Sequence, residues 1–379
     1  MGHMGMWDEQ IRGAIHASGD ALSRMLPTGL QSGVEPAKRA LEYAAGPLID
    51  HPGRFPWWGM VAGLCIAAFA FARDRRSRRQ GEAGFLAYCF PSRIWRHPST
   101  WVDIKVGFFN YVLFGGGALN LTWRISGVLV ASGITIGLTS VFGAREAVGS
   151  WSPLAIFLFA MAFSMASDFG YFLFHWASHL YPPLWAIHKL HHSAEVLSPL
   201  TAARVHPLEK PIMGIFMALT TGVLMGPLLY LHAGRTGVLP ALGLDVFGSL
   251  FFILGHHLHH SHVWVYFGPV ISRIIMSPAQ HQIHHSSLPR HIDKNFAEHW
   301  AIFDWLFGTL YLPKGREELT LGLAGQAAQP HTGVVTAWVG PVKESVQKLA
   351  TTSWNGVYRH ALRRPRPAPT LPEVETRSA

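Results

Sequence analysis

FHWASHLYPPLWAIHKLHH, residues 174–192, decides how the rest of the chain is read. It places five histidines, His175, His179, His188, His191 and His192, directly after a long apolar run. The first two are spaced i, i+4 and the later three i, i+3, i+4, so on a helix each group projects its rings from one face. The same arithmetic returns as His256 with His260, and then as His281, His284 and His285. One i, i+4 pair arises readily by chance, whereas two H-x-x-H-H triplets in one chain do not. Imidazole nitrogen suits Fe, Zn, Cu and Ni; a set without cysteine thiolate and with few carboxylates excludes iron–sulfur clusters and disfavours Ca and Mg. Ten imidazoles exceed what one ion takes and divide as roughly five each for two ions with open positions. The pair 256 and 260 is chosen on spacing, since GHHLHHSHVW (255–264) also holds His257, His259 and His262 at alternative spacings.

Working outward, the composition is that of a membrane protein: 49% hydrophobic and only 14% charged residues in 379, with 14 Trp. The net charge of +9 fits the same class, because basic residues gather at cytoplasmic ends of spans. No aromatic-interleaved basic groove points to nucleic acid. Two cysteines, Cys65 and Cys89, support neither a disulfide framework nor a thiolate metal site. Apolar runs cover Phe55–Ala72, Val106–Trp123, Ile125–Phe142, Trp151–Phe174, Pro211–Leu231 and Leu239–Gly255. The five arginines in RDRRSRR (73–79) mark the end of the first run as cytoplasmic.

If every run crossed, His175 would emerge opposite those arginines, so one of 106–123 and 125–142 is expected to be re-entrant or interfacial. Gly115-Gly116-Gly117 points to the first. Residues 80–105 read as an interfacial loop, and 211–255 as a membrane hairpin that returns His256 to the side His192 left. The expected fold is all-α: about four to six polytopic membrane spans or re-entrant segments, capped by a cytoplasmic helical histidine-rich metal-binding region. Its divisions are an N-terminal interfacial or soluble segment (1–54), membrane helices (55–167), the histidine-box catalytic region (168–312) and a partly disordered tail (313–379) ending in RRPRPAPTLPEVETRSA.

Histidines at a bilayer interface need partners for their outer nitrogens. Asp168, inside an apolar run, is the first candidate, followed by Asp293, Asn295, Glu209 and Asp304; Asp168, Asp293 and Asn295 are taken as the catalytic set beside the metal ligands. A structural reading of Asp168 is a hydrogen bond that pins two helices. His206, His291 and His299 read as satisfied polar residues or partners of ligands. Phe172, Trp176, Trp185 and Trp300 read as pocket walls or interface anchors.

The series D-x-x-Y-x-x-x-H-x-x-x-H (168–179), H-x-x-H-H-S (188–193), R-x-H-P-x-E (204–209), S-P-x-x-H-x-x-H-H-S (277–286), D-K-N-F (293–296) and D-W-L-F-G-T-L-Y (304–311) resembles the sterol desaturase and fatty acid hydroxylase superfamily. Those are integral-membrane, non-haem di-iron enzymes. The resemblance covers about residues 85–315. It implies that His175, His179, His188, His191, His192, His256, His260, His281, His284 and His285 are the metal ligands. At the third group the family often has His-x-Asn, where this chain has His260-Ser261-His262.

The resemblance further implies two Fe ions, for which Zn substitutes in purified protein, with O2 as co-substrate. Electrons come from a separate reductase or ferredoxin-type donor. The expected activity is C–H hydroxylation of a lipid or sterol-like substrate; the alternatives are a desaturase on the same scaffold, a zinc-dependent membrane hydrolase and a metal transporter. The expected location is a bacterial cytoplasmic membrane, multi-pass, with the metal site on the cytoplasmic side.

Overall fold

The computed structural model describes residues 57–73, 84–114, 118–146, 152–231, 247–248, 250–325, 330–331 and 333–352. The expected segment 1–54 and the proline-rich end at 363–379 lie outside them. Among the described residues all regular structure is helical. The principal helices are α1 (Trp57–Arg73), α2 (Pro98–Phe114), α3 (Ala118–Phe142), α4 (Pro153–Leu180), α5 (Pro182–His192), α6 (Glu209–Leu231), α7 (Pro278–His284), α8 (Ile302–Phe307) and α9 (Val334–Thr351).

α4 is the spine. Ser152 caps it by accepting from the Ala155 N–H at 3.2 Å, and Pro153 occupies the first turn, where its missing N–H costs nothing. It ends at Leu180 because Pro182 and Pro183 follow, and prolines that cannot continue one helix open the next, α5. α4 and α6 are long and apolar enough to cross a membrane; α1 and α3 contain shorter apolar stretches, Val61–Arg73 and Leu129–Phe142. Leu154, Phe157 and Leu158 on α4 and Ile215, Leu219 and Val223 on α6 are exposed, an apolar belt suited to lipid rather than water.

α6 packs against both α3 and α4. Its contact with α3 needs glycine: a Cβ on Gly222 would lie 2.6 Å from Val130, and one on Gly226 2.5 Å from Ile134. Thr135 Oγ1 donates to the Gly226 carbonyl across this contact at 3.0 Å.

Three expectations change. The loop expected at 80–105 holds α2 from Pro98 onward, preceded by short helices at Phe85–Cys89 and Ser92–Trp95. The apolar run 106–123 is divided, since α2 ends at Phe114 and α3 begins at Ala118. α2 buries Asp103 and Asn110, and Asn110 Nδ2 donates to the carbonyls of Ala203 (3.0 Å) and Val205 (2.8 Å), so its polar side faces the loop after α5 and not lipid. Finally, the polar chain beyond residue 313 contains α9, which packs on α5. Ala337 and Trp338 join Val102, Val106 and Leu190 in one apolar cluster, and Lys189 pairs with Glu344.

Of the expected hairpin, α6 is the outgoing leg, and residues 232–246 lie outside the described ones. The return arrives with Phe247 and Phe251 packed on Trp300. Gly255, at φ 93°, then turns the chain into a single 3-10 turn, His256–Leu258.

Candidate metal centre

Four backbone segments meet where α4 ends. α4 presents His175 and His179 one turn apart, α5 presents His188, His191 and His192 over its last two turns, α7 presents His281 and His284 with His285 at its C-cap, and His260 follows the 3-10 turn. The rings divide into two groups. His175, His179, His188, His192 and His284 form the first, and His191, His260, His281 and His285 the second; the ligand atoms within each lie within 4.8 Å of one another.

In the first group His192 is the hub. Its Nε2 lies 3.2 Å from His179 Nε2, 3.1 Å from His188 Nε2 and 3.2 Å from His284 Nε2. In the second, Nε2 atoms are 3.0 Å apart for His260 and His191, 2.9 Å for His281 and His260, and 3.2 Å for His285 and His281. The groups adjoin: the His192 and His285 rings stack with centroids 4.8 Å apart.

The outer nitrogens determine what those inner contacts are. His175 Nδ1 lies 2.6 Å from the Phe296 carbonyl and His284 Nδ1 2.7 Å from that of Lys294; a carbonyl only accepts, so each Nδ1 carries the proton. His188 Nδ1 donates to Glu209 at 2.9 Å and His179 Nδ1 to Asp293 at 3.3 Å. In the second group His191 Nδ1 donates to the Arg204 carbonyl at 3.3 Å. A neutral ring that spends its proton outward presents a lone pair at Nε2, and lone pairs facing each other repel unless a cation lies between them. His175 Nε2 is buried with no hydrogen-bond partner.

Ligands at right angles around an ion with N–metal bonds near 2.1 Å are separated by about 3.0 Å, which is the spacing the Nε2 atoms have. The residues therefore fit two transition-metal ions held by nitrogen, with no thiolate or carboxylate in either group. Protonation state agrees. Burial, assisted by neighbouring imidazoles, holds His191, His192, His281, His284 and His285 well below the ordinary histidine range, and burial with nearby His259 pushes His260 down to about 3.

A wall surrounds the rings. Phe296, fully buried, lies 5.5 Å from the His175 ring and 5.0 Å from that of His179, while Trp185 covers His179 and His192 at 5.0 and 5.5 Å. Phe172, Trp176 and Trp300 belong to the apolar cluster behind them. Arg204, wholly buried, ties the end of α5 in place: it donates to the Leu190 carbonyl (3.1 Å), Ser193 Oγ (2.8 Å) and Asp103 (3.1 Å). His206 Nε2 donates to the Trp338 carbonyl of α9 at 2.9 Å.

The sequence-selected residues fall in different places. Nine of the ten histidines come together, and His256 does not; it lies with Glu298 and His299. Asp293 meets His179. Asn295 is scaffold: its amide donates to the Gln280 carbonyl at 3.0 Å and its Oδ1 accepts from Tyr311 N at 2.7 Å. Both Asp293 and Asn295 sit at φ 58°, a region Asp and Asn tolerate better than other side chains. Asp168 touches none of the nine rings through a hydrogen bond; it accepts from the backbone of His299 (3.1 Å) and Trp300 (2.7 Å), and so ties α4 to a non-helical segment rather than to a second helix.

Asp304 accepts from Phe296 N and Ala297 N, both at 2.8 Å, and so fixes the carbonyl that orients His175; burial pushes its carboxyl up to about 6. His291 pairs with Glu317 away from the rings. Sequence reasoning missed Asp103 as the partner of Arg204. A charged residue in an R-x-H-P-x-E motif beside an apolar helix was the available signal, since a buried guanidinium requires a carboxylate. The carbonyls of Phe296, Lys294 and Arg204 leave no trace in residue identity.

A profile of the fatty acid hydroxylase family matches residues 160–309, which span both groups. Curated relatives include alkylglycerol monooxygenase of Homo sapiens, 32% identical over 142 residues (38% of this chain and 28% of that protein). The alkylglycerol monooxygenase of Xenopus tropicalis is 28% identical over 156 residues (41% and 31%). Very-long-chain aldehyde decarbonylase GL1-1 of Oryza sativa is 28% identical over 170 residues (42% and 25%). The chain thus spans less than a third of the length of these relatives. No solved structure matches.

Proposed function

The chain belongs to the sterol desaturase and fatty acid hydroxylase superfamily, and on that premise we propose that it is a membrane-bound, O2-dependent di-iron monooxygenase that hydroxylates a C–H bond of a lipid. One observation carries the reading: nine histidines, seven buried and two half-buried, converge in two adjoining all-histidine groups. His175, His179, His188, His192 and His284 hold one iron, and His191, His260, His281 and His285 the other. Iron in this setting supplies the activation of O2 for attack on an unactivated C–H bond. Asp293 and Glu209 keep the Nδ1 protons of His179 and His188 on the outer side, and the carbonyls of Phe296 and Lys294 do the same for His175 and His284. Phe296 and Trp185 exclude water from the rings.

The apolar belt on α4 and α6 gives an alkyl chain access from the bilayer. With the arginines at 73–79 read as cytoplasmic, and the end of α1 joined through Phe71 and Tyr88 to His262, our reading is that the site lies on the cytoplasmic side, within reach of a reductase or ferredoxin-type donor. The names of the relatives favour oxygen insertion over desaturation, and an alkylglycerol-type ether lipid over a sterol. A zinc hydrolase would need a carboxylate beside the ion as general base, and neither group contains one.

The test is mass spectrometry of total lipids from a host with and without expression under iron-replete conditions. Gain of one oxygen atom in a lipid class supports hydroxylation, loss of two hydrogens transfers the scaffold to desaturation, and an unchanged lipidome together with undiminished metal content in His191→Ala sinks the reading.

A further inference from the structure

We infer that His256, Glu298 and His299 form a third metal site, separate from the two histidine groups, that takes one divalent transition-metal ion of the zinc or ferrous type. The three residues offer ligand atoms within 4.8 Å of one another. His256 Nε2 is 3.7 Å from Glu298 Oε1, and His299 Nδ1 is 3.9 Å from Glu298 Oε2. Both separations are too long for hydrogen bonds, yet ligands at tetrahedral angles around one ion with bonds near 2.1 Å stand about 3.4 Å apart. The side chains face each other at ligand spacing without bonding each other. His256 Nδ1 is buried and has no hydrogen-bond partner.

The fold builds this place deliberately from distant parts of the chain. His256 comes from the 3-10 turn set by the left-handed Gly255. Glu298 and His299 come from the segment that Asp304 holds at Phe296 and Ala297 and that Asp168 of α4 holds at His299 and Trp300. Asp168 Oδ1 also lies 3.4 Å from His299 Nδ1, and Phe251 stacks on the His299 ring at 4.4 Å. Asp168 approaches the same nitrogen that faces Glu298, so it does not sit behind the ring; it fixes the ligand segment by accepting from the backbone of His299 and Trp300. This gives Asp168, which no ring of the two groups uses, a positioning role here.

Two nitrogens and one carboxylate leave the remaining coordination positions open, the pattern of a reactive or exchangeable site rather than a closed structural one. The site shares no ligand with its neighbours. The His259 ring intervenes, 4.6 Å from His256 and 4.9 Å from His281 of the second group.

The experiment counts ions in the full-length protein purified in detergent, saturated with Zn2+, passed through gel filtration and measured by elemental analysis. Wild type should retain three zinc ions per chain, and Glu298→Gln and His256→Asn should each retain two, the surviving pair reporting that the histidine groups remain folded. Asp168→Asn should weaken the third ion about 10–100-fold and leave the other two. Two ions in wild type, or three in both Glu298→Gln and His256→Asn, overturns the inference; the wild-type count decides alone if the variants do not fold. Because zinc is counted rather than turnover, the result stands apart from the oxygenase reading, whose own failure appears as a missing lipid product.

Discussion

The two histidine groups share α5 and α7, the first adding α4 and the second the chain at His260, and they are held differently. In the first, four of five rings have the outer nitrogen fixed, by the Phe296 and Lys294 carbonyls, Asp293 and Glu209. In the second, His191 is fixed by the Arg204 carbonyl, whereas His281 and His285 have buried Nδ1 atoms with no partner. The first group is organised before any ion arrives; the second leaves ring orientation and tautomer to be chosen on binding. Ordering rings at the moment of binding costs conformational entropy, so the second ion should be the weaker and the faster to exchange.

The strongest test of that contrast removes the hub. His192→Ala deletes the Nε2 that three rings of the first group approach, and iron should fall by one ion per chain with loss of turnover, read by elemental analysis alongside the lipid assay. An unchanged iron count would mean that the first group does not depend on its own centre. Next in size, slow chelation of Glu298→Gln protein, which lacks the third site, should release iron in two phases, the second group first, with rates separated by about 10–100-fold. A single phase would break the comparison. Added to that protein, Glu209→Ala should sharpen the comparison: the first ion loses about 10–100-fold in affinity through His188 while the second is unchanged, collapsing the two phases toward one.

What was legible in the sequence follows the same physical line. Spacings of i, i+3 and i+4 specify ring direction only on an α-helix, and α4, α5 and α7 are α-helical where their histidines lie. Residues 255–260 are not: Gly255 is left-handed and His256–Leu258 is a single 3-10 turn, so four residues no longer return a side chain to the same face. That is why His260 joins the second group and His256 departs to Glu298 and His299. Glu209 was readable as a carboxylate in a motif, and Asp168 as a buried charge, but the partner of Asp168 is a backbone segment 131 and 132 residues away. α9 was hidden for another reason. Its buried face is small, Ala337 and Pro341; it meets α5 through Leu190 and the Lys189–Glu344 pair and reaches His206 with the Trp338 carbonyl, none of which makes an apolar run.

The smallest expected effect concerns the loop that leaves α7 and is tied to Tyr311 and Glu317. Glu317 accepts from His291 Nε2 at 2.9 Å, from the Tyr311 hydroxyl at 3.0 Å and from Arg290 at 3.3 Å. Partial burial would raise its carboxyl, but the His291, Tyr311 and Arg290 contacts outweigh that and hold it below the ordinary glutamate value. A carboxylate with a depressed folded-state pKa contributes stability that is complete above its unfolded value, near 4.3, and that disappears as pH falls through the folded value. Burial lowers His291 despite Glu317, so the folded state also resists taking up that proton below about 6.5, and the two groups act in the same direction. Thermal unfolding in detergent should therefore move to lower temperature below about pH 6.5 through His291 and further below about pH 4.3 through Glu317, and Glu317→Gln should flatten only the second, more acidic part of that slope. If the loop steadies the loosely oriented second group, acidification should hasten the first chelation phase of Glu298→Gln protein and do so less once Glu317→Gln is added. Equal acceleration of both phases in both proteins would detach the clamp from the asymmetry between the two groups.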